Sequence, residues 1–492
     1  MPRPVPEPGT DAVAQARDAA AGRIPPRGRG TLRPRGRPVG DDLTISVAGE
    51  PRRYIDLDTA ATTSASEAVV RAVQDFLPWY SSVHRGAGAK SQYSSARYEE
   101  ARETLVRFVG ADPATHVALF PRNTTEALNV IAFRLGLTRD DVVLTTAVEH
   151  HANLLPWRRH ARLRVVDVDE RGVFDVAAVV AGLDARPVPR VLAVTGASNV
   201  TGWLPDLRAI AAAARERGVL VVVDGAQLVP HRPVDIAALG IDVLAFSGHK
   251  MHAPFGAGAL VLPRRLLADG EPLLVGGGAV KAVSFEEVVW ADCPDRDDAG
   301  SPNVVGVVAL AAAARELCGG GWADRLRHEE ALVRALDGEL AAVPGLRRLG
   351  MAAGDRLPVA AFVVDGMSHG LVAARLADEY GMGMHSGCFC AHPYLTRLFG
   401  LSQEEVRQFH ADARANLHDR LPGAVRVSCN PTTSLADVAA LGEALRAIAA
   451  TSEQAGGYAR GTYGDVVPSV PTPRPPGRTS TRAAASSREV QR

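Results

Sequence analysis

The chain has 492 residues, of which 46% are hydrophobic and 22% charged, proportions typical of a folded protein large enough for two domains. Its 55 basic and 55 acidic residues balance, so the total charge points neither to nucleic acid nor to a membrane surface as a partner. No apolar stretch approaches the roughly 20 residues of a membrane span, and the N-terminus lacks the apolar core of a signal peptide, so we expect a cytoplasmic protein. Five cysteines, an odd number, favour reduced thiols over a disulfide scaffold.

Both ends of the chain differ in composition from the middle. Residues 1–45 are rich in Pro, Arg, Ala and Gly without apolar periodicity, which predicts a disordered basic tail. Residues 455–492 contain several prolines and are predicted to be a second disordered tail. Between them we predict a large domain over residues 46–304, whose first residues are also compatible with the small domain, and a small domain over residues 305–454.

The predicted large domain alternates strands and helices. Its helical segments include one capped by Asp206 and stopped by Gly218. This rhythm predicts an α/β fold with a mainly parallel seven-stranded sheet covered by helices, and the Ala- and Leu-rich helices after residue 305 predict a smaller α+β domain. The seven short apolar runs of the predicted sheet are residues 117–120, 142–144, 163–166, 191–194, 219–223, 243–246 and 259–262.

The apolar run 243–246 ends in the polar residues Ser247, His249 and Lys250. In an extended backbone, Ser247 and His249 point to one side and Lys250 to the other. The sequence therefore predicts two hydrogen-bond donors for an anion and one amine that can attach a carbonyl-bearing cofactor. A lysine that is merely solvated is the simpler alternative.

A second polar strand end lies upstream, where Asp224 follows the run 219–223. A carboxylate at a strand tip is the partner that pyridoxal phosphate (PLP) needs, because it keeps the pyridine nitrogen protonated. Gln227, three residues on, provides a donor for the phenolic oxygen of the same ring. Alternatively, Asp224 caps the helix that follows.

These two strand ends, Val-Asp-Gly-Ala-Gln at 223–227 and Phe-Ser-Gly-His-Lys at 246–250, resemble the class V aminotransferase superfamily, most closely its cysteine desulfurases and selenocysteine lyases of the SufS-like branch. The resemblance runs from about residue 55 to about residue 448. It implies a fold-type I PLP-dependent transferase in which Lys250 carries the coenzyme and Ser247 and His249 hold its phosphate.

Two further segments match the phosphate-binding parts of the family. Thr124 and Thr125 stand in a stretch similar to the family's R-G-T-T-E, with Asn123 in place of glycine, where a helix start can cradle the phosphate. An ordinary threonine-capped helix is the alternative. Ser301 lies in a stretch similar to the family's G-T-P-N loop, which reaches the phosphate of a neighbouring subunit, so the resemblance implies a homodimer with shared active sites.

Three more residues match positions near the coenzyme ring or the substrate. By resemblance, His150 stacks on the pyridine ring and moves protons, and Asn199 lies beside the phenolic oxygen and the substrate. His84 falls in the segment that lines the mouth of the active site, and an ordinary loop histidine is equally compatible with its position. Although His150 and His151 are adjacent, no third ligand follows at a usual spacing, so no metal site is predicted.

The loop at residues 385–393, His-Ser-Gly-Cys-Phe-Cys-Ala-His-Pro, resembles the desulfurase loop R-[TS]-G-x-x-C-A-x-P, which places Cys390 at the catalytic cysteine. The resemblance implies that a Cys390 thiolate takes the sulfur of L-cysteine as a persulfide and leaves alanine. His385 stands where the family has arginine and is a candidate substrate contact, and with His392 it would supply positive charge to the thiolate. A buried, inert cysteine is the alternative.

The same loop contains a second thiol, Cys388. The sequence Gly-Cys-Phe-Cys is similar to a stretch of the molybdenum cofactor sulfurases, which use the same chemistry. A C-x-C pair is suited to metal binding or to relaying a persulfide, and both alternatives stay open.

Arg426, in an R-x-S stretch, resembles the family arginine that pairs with the substrate carboxylate, a task for which a guanidinium fork is suited. About twenty more residues precede it than in the short-loop branch. Within them, residues 404–417 predict an exposed helix that forms a lid or a docking surface. An altered substrate or a dedicated sulfur-acceptor protein would fit these departures from the family.

Three functions are compatible with the sequence. The first is a PLP-dependent cysteine desulfurase. The second is an epimerase or carbon–sulfur lyase on the same scaffold without persulfide chemistry, and the third is a non-catalytic interaction protein with a PLP fold. The complete set of coenzyme residues argues against the third.

Overall fold

The structure is a computed structural model that describes residues 37–84, 86–319, 321–350, 354–417, 421–451, 458–460 and 466–468. The described helices are α1 Glu67–Phe76, α2 Ala89–Phe108, α3 Thr124–Arg134, α4 Leu155–His160, α5 Val176–Asp184, α6 Leu207–Glu216, α7 Leu228–His231, α8 Ile236–Leu239, α9 Val304–Gly319, α10 Trp322–Ala341, α11 His369–Tyr380, α12 His392–Leu398, α13 Gln403–Arg414 and α14 Leu435–Ala450. The described strands are β1 Thr44–Val47, β2 Glu50–Arg53, β3 Ile55–Asp56, β4 His116–Leu119, β5 Val142–Thr146, β6 Arg162–Val166, β7 Val191–Thr195, β8 Leu220–Asp224, β9 Val243–Ser247, β10 Gly258–Pro263, β11 Val280–Val283, β12 Val288–Trp290, β13 Leu346–Leu349, β14 Val359–Val364, β15 Met382–Gly383, β16 His385–Gly387, β17 Ala424–Ser428, β18 Tyr458–Arg460 and β19 Val466–Pro468.

A seven-stranded sheet in the order β4-β10-β9-β8-β7-β5-β6 forms the centre of the large region. Strands β9, β8, β7, β5 and β6 run parallel, and β10 is antiparallel to both β4 and β9. Strands β5, β7, β9 and β10 are buried along their whole length, and β8 along all but its first residue, as expected of a sheet covered on both faces. The predicted α/β fold with a mainly parallel seven-stranded sheet is confirmed.

Alternate residues of each strand face separate cores on the two sides of this sheet. Val223 and Leu244 belong to one apolar cluster, whereas their neighbours Val222 and Val243 belong to another. The predicted helix cap is also present, because the Asp206 carboxylate accepts a hydrogen bond from the Ala209 N–H at 3.0 Å. Because β5, β7, β8 and β9 run parallel, their carboxyl ends meet at one edge of the sheet.

The smaller region contains a four-stranded sheet, β13-β14-β17-β16, whose neighbouring strands are antiparallel. Helices α10, α11 and α14 contribute to its separate apolar core, which includes Leu332, Phe362, Leu376 and Leu441. This is the predicted α+β arrangement. Helix α9, which the predicted boundary after residue 304 assigns to the small domain, packs with the large core instead, through residues such as Leu310.

The start of the described chain joins the small region. Strand β3 pairs in parallel with β15, and Leu57 belongs to the small core. The predicted tail boundary at residue 45 falls inside β1, which pairs with β2, whereas residues 1–36 of that predicted tail lie outside the described residues.

Two short segments of the second predicted tail are described, and they form the antiparallel pair β18–β19. Most of residues 455–492 lie outside the described residues. Among the described helices, none alone is long and apolar enough to cross a bilayer, and only α9 and α10 together, bent by 88°, reach that length and composition.

Candidate active site

A cavity of about 220 Å³ opens at the carboxyl edge of the central sheet, where α/β folds bind their ligands. Thr195, Asp224 and Ser247, which end β7, β8 and β9, all line it. The cavity is lined by Ala60, Ala61, Asn123, Thr124, Thr125, His150, Ala152, Thr195, Ala197, Asn199, Asp224, Ala226, Gln227, Ser247, His249, Lys250, His385, Phe389, Cys390 and Arg426. Twelve of the fourteen site residues predicted from the sequence are in this set.

Lys250 reaches the cavity from a 3-10 turn, not from the extended backbone that the sequence analysis predicted. Residues Gly248–Lys250 form the turn because the Met251 N–H bonds back to Gly248 O at 2.8 Å while Gly248 N–H pairs with Ala257 O. The prediction that Ser247 and His249 point away from Lys250 is therefore wrong, and all three line one cavity. Burial, with a contribution from Arg426, lowers the pKa of Lys250 to about 8, so its neutral, nucleophilic form is accessible near neutral pH.

Asp224 is a buried carboxylate that faces the cavity. Its Oδ1 accepts a hydrogen bond from the Ala226 N–H at 2.9 Å, and burial raises its pKa. A buried carboxylate is stabilised by a cationic partner, which a protonated ring nitrogen would supply. The Gln227 amide donates one hydrogen bond to Ala60 O at 2.7 Å and has a second N–H that can donate to the phenolic oxygen of the coenzyme ring.

The phosphate end of the cavity is organised by Ser247 and Thr124. The Ser247 hydroxyl accepts from the Thr124 N–H at 2.8 Å and lies 2.6 Å from the Thr124 hydroxyl, at the start of α3. Asn123 caps this helix through Glu126 N–H at 3.0 Å, which leaves the helix terminus and the exposed Thr125 directed to the cavity. His249 contacts the Thr62 hydroxyl at 3.2 Å through Nδ1.

His150 is held in one orientation and one tautomer. Its Nδ1 accepts a hydrogen bond from the Ala152 N–H at 3.0 Å, so a neutral ring carries its proton on Nε2. Burial, with Lys250 as the next cause, lowers the pKa of His150 to about 3. The ring is therefore a neutral platform with a single N–H donor.

Glu149, which precedes His150, is fully enclosed beneath the cavity. Its carboxyl oxygens accept from the Thr146 hydroxyl at 2.6 Å, the Thr195 N–H at 3.0 Å and the Asn153 amide at 2.7 Å. Burial raises its pKa to about 8, and the charge of Asp224 adds to the shift. The carboxyl is mostly protonated at neutral pH and fixes the segment that carries His150.

Arg426 also lines the cavity and is only 2% exposed. Its guanidinium donates to Asp58 Oδ1 at 3.0 Å and to Asn199 O at 3.2 Å. Its Nε is buried and has no hydrogen-bond partner among the described residues. A guanidinium whose two terminal amino groups are held in place and whose buried Nε–H is free is suited to bind a carboxylate.

Sequence reasoning missed Asp58, which bridges the two cationic candidates. Its second oxygen, Oδ2, lies 3.0 Å from His385 Nδ1, while Oδ1 binds Arg426. More than 300 residues separate Asp58 from both partners, so no local pattern links them. The local signal is its place two residues after the end of β3.

Cys390 is exposed and lies on a loop after β16 that is fixed on both sides. The His151 N–H donates to Cys390 O at 2.7 Å, and the Asn199 side chain donates to Phe389 O at 2.9 Å. The Phe389 ring lies 5.1 Å from the Arg426 guanidinium. The alternative of a cysteine buried in the core therefore does not apply to Cys390.

His392 does not supply the positive charge that the sequence analysis expected. Its ring stacks on His151 at 5.0 Å, and burial, followed by the nearby His410, lowers its pKa. The cations that face Cys390 across the cavity are Lys250 and Arg426.

The structure does not bring His84 or Ser301 to the cavity of this chain. His84 bonds Glu99 at 3.0 Å and packs against the ring of Tyr98. Ser301 is exposed, so its predicted contact with the phosphate of a neighbouring subunit stays a prediction.

Comparison with known proteins agrees with this geometry. The model of the aminotransferase class-V family matches residues 55–441. The chain is 37% identical over 384 residues to probable cysteine desulfurase 2 of Mycobacterium leprae. This alignment covers 75% of this chain and 90% of that protein. It is 36% identical over 363 residues to a cysteine desulfurase of Pectobacterium atrosepticum, covering 72% of this chain and 87% of that protein.

Two solved structures are similar over most of the chain. The apo cysteine desulfurase of Thermococcus onnurineus has a TM-score of 0.72 at 29% identity, covering 81% of this chain and 95% of that one. The cysteine desulfurase CsdA of Escherichia coli, in an S-sulfonic acid form, has a TM-score of 0.68 at 34% identity, covering 80% and 94%. The fold and the cavity define a fold-type I PLP-dependent enzyme, and the chain belongs to the class V aminotransferase family.

The residues of the cavity fit PLP, the coenzyme of this family. Buried Asp224 would hold the ring nitrogen, and His150 would cover the ring. Lys250 would attach the coenzyme, while Thr124, Ser247 and the start of α3 would hold its phosphate.

Proposed function

We propose that this enzyme is a cysteine desulfurase that converts L-cysteine to alanine and keeps the sulfur as a persulfide on Cys390. One observation carries the proposal. A single cavity collects the coenzyme residues Lys250 and Asp224 with an exposed thiol, Cys390, and a buried carboxylate-binding arginine, Arg426. The relatives named above, which are cysteine desulfurases, support the same conclusion.

Arg426 and its neighbours position the substrate. The free Nε–H of Arg426 and the adjacent amino group donate hydrogen bonds to the substrate carboxylate, while Asp58 and Asn199 hold the two terminal amino groups. When bound, PLP supplies an electron sink for the negative charge that develops on the substrate α-carbon.

Lys250 moves the α-proton. The amine of Lys250, whose pKa burial lowers to about 8, is the base that accepts this proton near neutral pH. His150 stays neutral and keeps the ring face covered, because its Nδ1 is occupied by Ala152 N–H.

Cys390 then takes the sulfur. Its thiolate attacks the substrate sulfur, the bond from that sulfur to the substrate β-carbon breaks, and the electron pair stays with the carbon skeleton, which takes up protons to become alanine. Lys250 and Arg426 line the same cavity as Cys390 and place positive charge around the reacting sulfur atoms. The turn at residues 389 and 390 holds the sulfur toward the cavity.

We also infer a homodimer and a protein that accepts the sulfur. The hairpin β11–β12 exposes Val283, Val288 and the fully exposed Phe285, an apolar set that a second copy of the chain would cover. Exposed Ser301 lies in the loop after this hairpin. The exposure of Cys390 supports transfer of the persulfide to an acceptor.

The test is an assay of the PLP-loaded enzyme with L-cysteine and a dithiol reductant, in which alanine, sulfide and D-cysteine are quantified. We expect equal amounts of alanine and sulfide from wild type and neither product from Lys250→Ala. Formation of D-cysteine without alanine would instead establish the epimerase alternative.

A further inference from the structure

The Cys390 loop contains a second thiol that the steps above do not use. Ala391 N–H bonds back to Cys388 O at 3.0 Å, and the two residues between them, Phe389 and Cys390, have φ of 56° and 53°. Two successive left-handed residues closed by such a bond form a β-turn that Gly, Asn and Asp usually occupy.

The turn brings the two cysteines together. Because consecutive α-carbons are about 3.8 Å apart, the first and third residues of a folded turn have α-carbons roughly 5–6 Å apart, within the range of about 4.4–6.8 Å that disulfides span. Contacts from His151 to Cys390 O and from Asn199 to Phe389 O fix the turn in this shape.

The two thiols differ in access and in charge. Cys390 is exposed to the cavity, whereas Cys388 is half-buried against the large core. Burial raises the pKa of Cys388, and a charge on Cys390 adds to the shift. In the resting enzyme Cys388 therefore keeps its proton, and Cys390 is the thiol that meets the substrate.

We propose that Cys388 is a resolving thiol for the Cys390 persulfide, an inference that rests on the proposed desulfurase function. The Cys388 sulfur attacks the Cys390 Sγ, and a Cys388–Cys390 disulfide forms. The bond from Cys390 Sγ to the terminal sulfur breaks, and that sulfur leaves with the electron pair and the Cys388 proton as hydrosulfide.

Atoms and electrons balance in this step. The transferred sulfur is reduced by two electrons, and the two thiols are oxidised by two electrons to the disulfide. A dithiol reductant, either a small molecule or a protein, reopens the disulfide before the next turnover. When no acceptor protein takes the sulfur from Cys390, the loop thus releases that sulfur as free hydrosulfide.

The test uses reduced holoenzyme freed of small thiols and given one equivalent of L-cysteine. Alanine and hydrosulfide are quantified, and the tryptic peptide of residues 376–397, which holds both cysteines, is analysed without reduction. Wild type is compared with Cys388→Ser, with Cys388→Ala as a second variant, and with the control Cys318→Ser, which changes an exposed thiol on α9. The visible absorbance of the bound coenzyme shows that each variant is folded.

We expect wild type and the control to yield hydrosulfide equal to alanine and a peptide lighter by two hydrogen atoms. Both Cys388 variants lose the disulfide and the hydrosulfide, and their peptide keeps one extra sulfur on Cys390. Alanine accompanied by a persulfide that persists equally in wild type and Cys388→Ser, or by an extra sulfur on Cys388, would overturn this inference alone. The absence of alanine in every protein would overturn the proposed function and this inference with it.

Discussion

Asp58 determines how Arg426 presents its guanidinium, because one carboxylate holds both that side chain and His385 at 3.0 Å. In Asp58→Asn we expect the loss of a hydrogen bond between charged groups, about 1.5–3 kcal/mol, to lower kcat/KM for L-cysteine by about 10- to 100-fold. The loss should appear mainly in KM, since the coenzyme residues are untouched. Steady-state alanine formation measures it.

The matched control is Asp184→Asn. Asp184 also pairs with an arginine, Arg217, but on the surface of the large region. We expect its kinetic constants to equal those of wild type. An unchanged KM in Asp58→Asn would remove Asp58 from substrate positioning.

The raised pKa of Glu149 predicts how the stability of the folded protein depends on pH. Its pKa in the folded protein, about 8, is above the ordinary value of 4.5, so the folded state binds this proton more tightly than the unfolded state does. That contribution is full below pH 4.5 and is lost as the pH rises to about 8. Relative to wild type, Glu149→Gln should therefore gain a few kcal/mol of unfolding free energy between these two pH values.

Denaturant unfolding of both proteins across this pH range measures the difference. Loss of the three hydrogen bonds to Glu149 changes the unfolding free energy by an amount that does not vary with pH. Only the part of the difference between the two proteins that varies with pH therefore tests the raised pKa of Glu149. A difference that is constant with pH would mean that Glu149 titrates at its ordinary pKa.

Among the elements, helix α13 is connected to the catalytic loop by stacked rings. Phe409 of α13 packs 5.2 Å from His392, whose ring stacks on His151, and His151 holds Cys390 O. The sequence predicted an exposed helix here, and most of α13 is exposed, but Phe409 is buried. The extra segment before Arg426 therefore supports the loop in addition to presenting a surface.

Truncation of the Phe409 side chain tests whether α13 restrains the Cys390 loop. In Phe409→Ala, removal of a buried ring costs about 3–5 kcal/mol of stability locally, and we expect Cys390 to react faster with iodoacetamide while the coenzyme absorbance stays unchanged. Phe133→Ala, which removes a more exposed ring beside His160, is the control. Equal alkylation rates in the two variants would show that α13 does not restrain the loop.

The turn at Gly248–Lys250 shows where sequence reasoning about elements fails. The apolar run before it predicted β9 within one residue, because a strand buried on both faces needs several apolar residues in succession. The turn itself depends on hydrogen bonds to Ala257 and within the turn, which the spacing of polar residues does not encode. Asp58 was missed for a similar reason, since its partners are distant in the sequence.

At the scale of the whole molecule, the two-region architecture and the coenzyme end of the cavity were predictable, because apolar periodicity and local motifs specify both. The sequence could not predict the pairing of β3 with β15, because the two strands are more than 300 residues apart. A parallel bridge between Asp58 and Ser428, the last residue of β17, places Asp58 beside Arg426. The substrate end of the site is thus a product of tertiary structure.

The proposed dimer is a further prediction at this scale. In Phe285→Asp, a charge in the apolar patch of the β11–β12 hairpin should shift the enzyme toward monomer and lower its affinity for PLP. Light scattering coupled to size-exclusion chromatography measures the mass. Leu155→Asp, at another exposed apolar residue, is the control, and a monomeric wild type or an unchanged dimer in Phe285→Asp would contradict the proposed interface.

The central claim is that the thiol of Cys390 breaks the carbon–sulfur bond of an amino acid held by Arg426 and Lys250. The most direct measurement is alanine formation from L-cysteine by PLP-loaded Cys390→Ser, compared with Cys318→Ser under the same conditions. We predict that alanine falls to background in Cys390→Ser, whose coenzyme absorbance is intact, and is unchanged in Cys318→Ser. Alanine formation by Cys390→Ser at the wild-type rate would contradict the account.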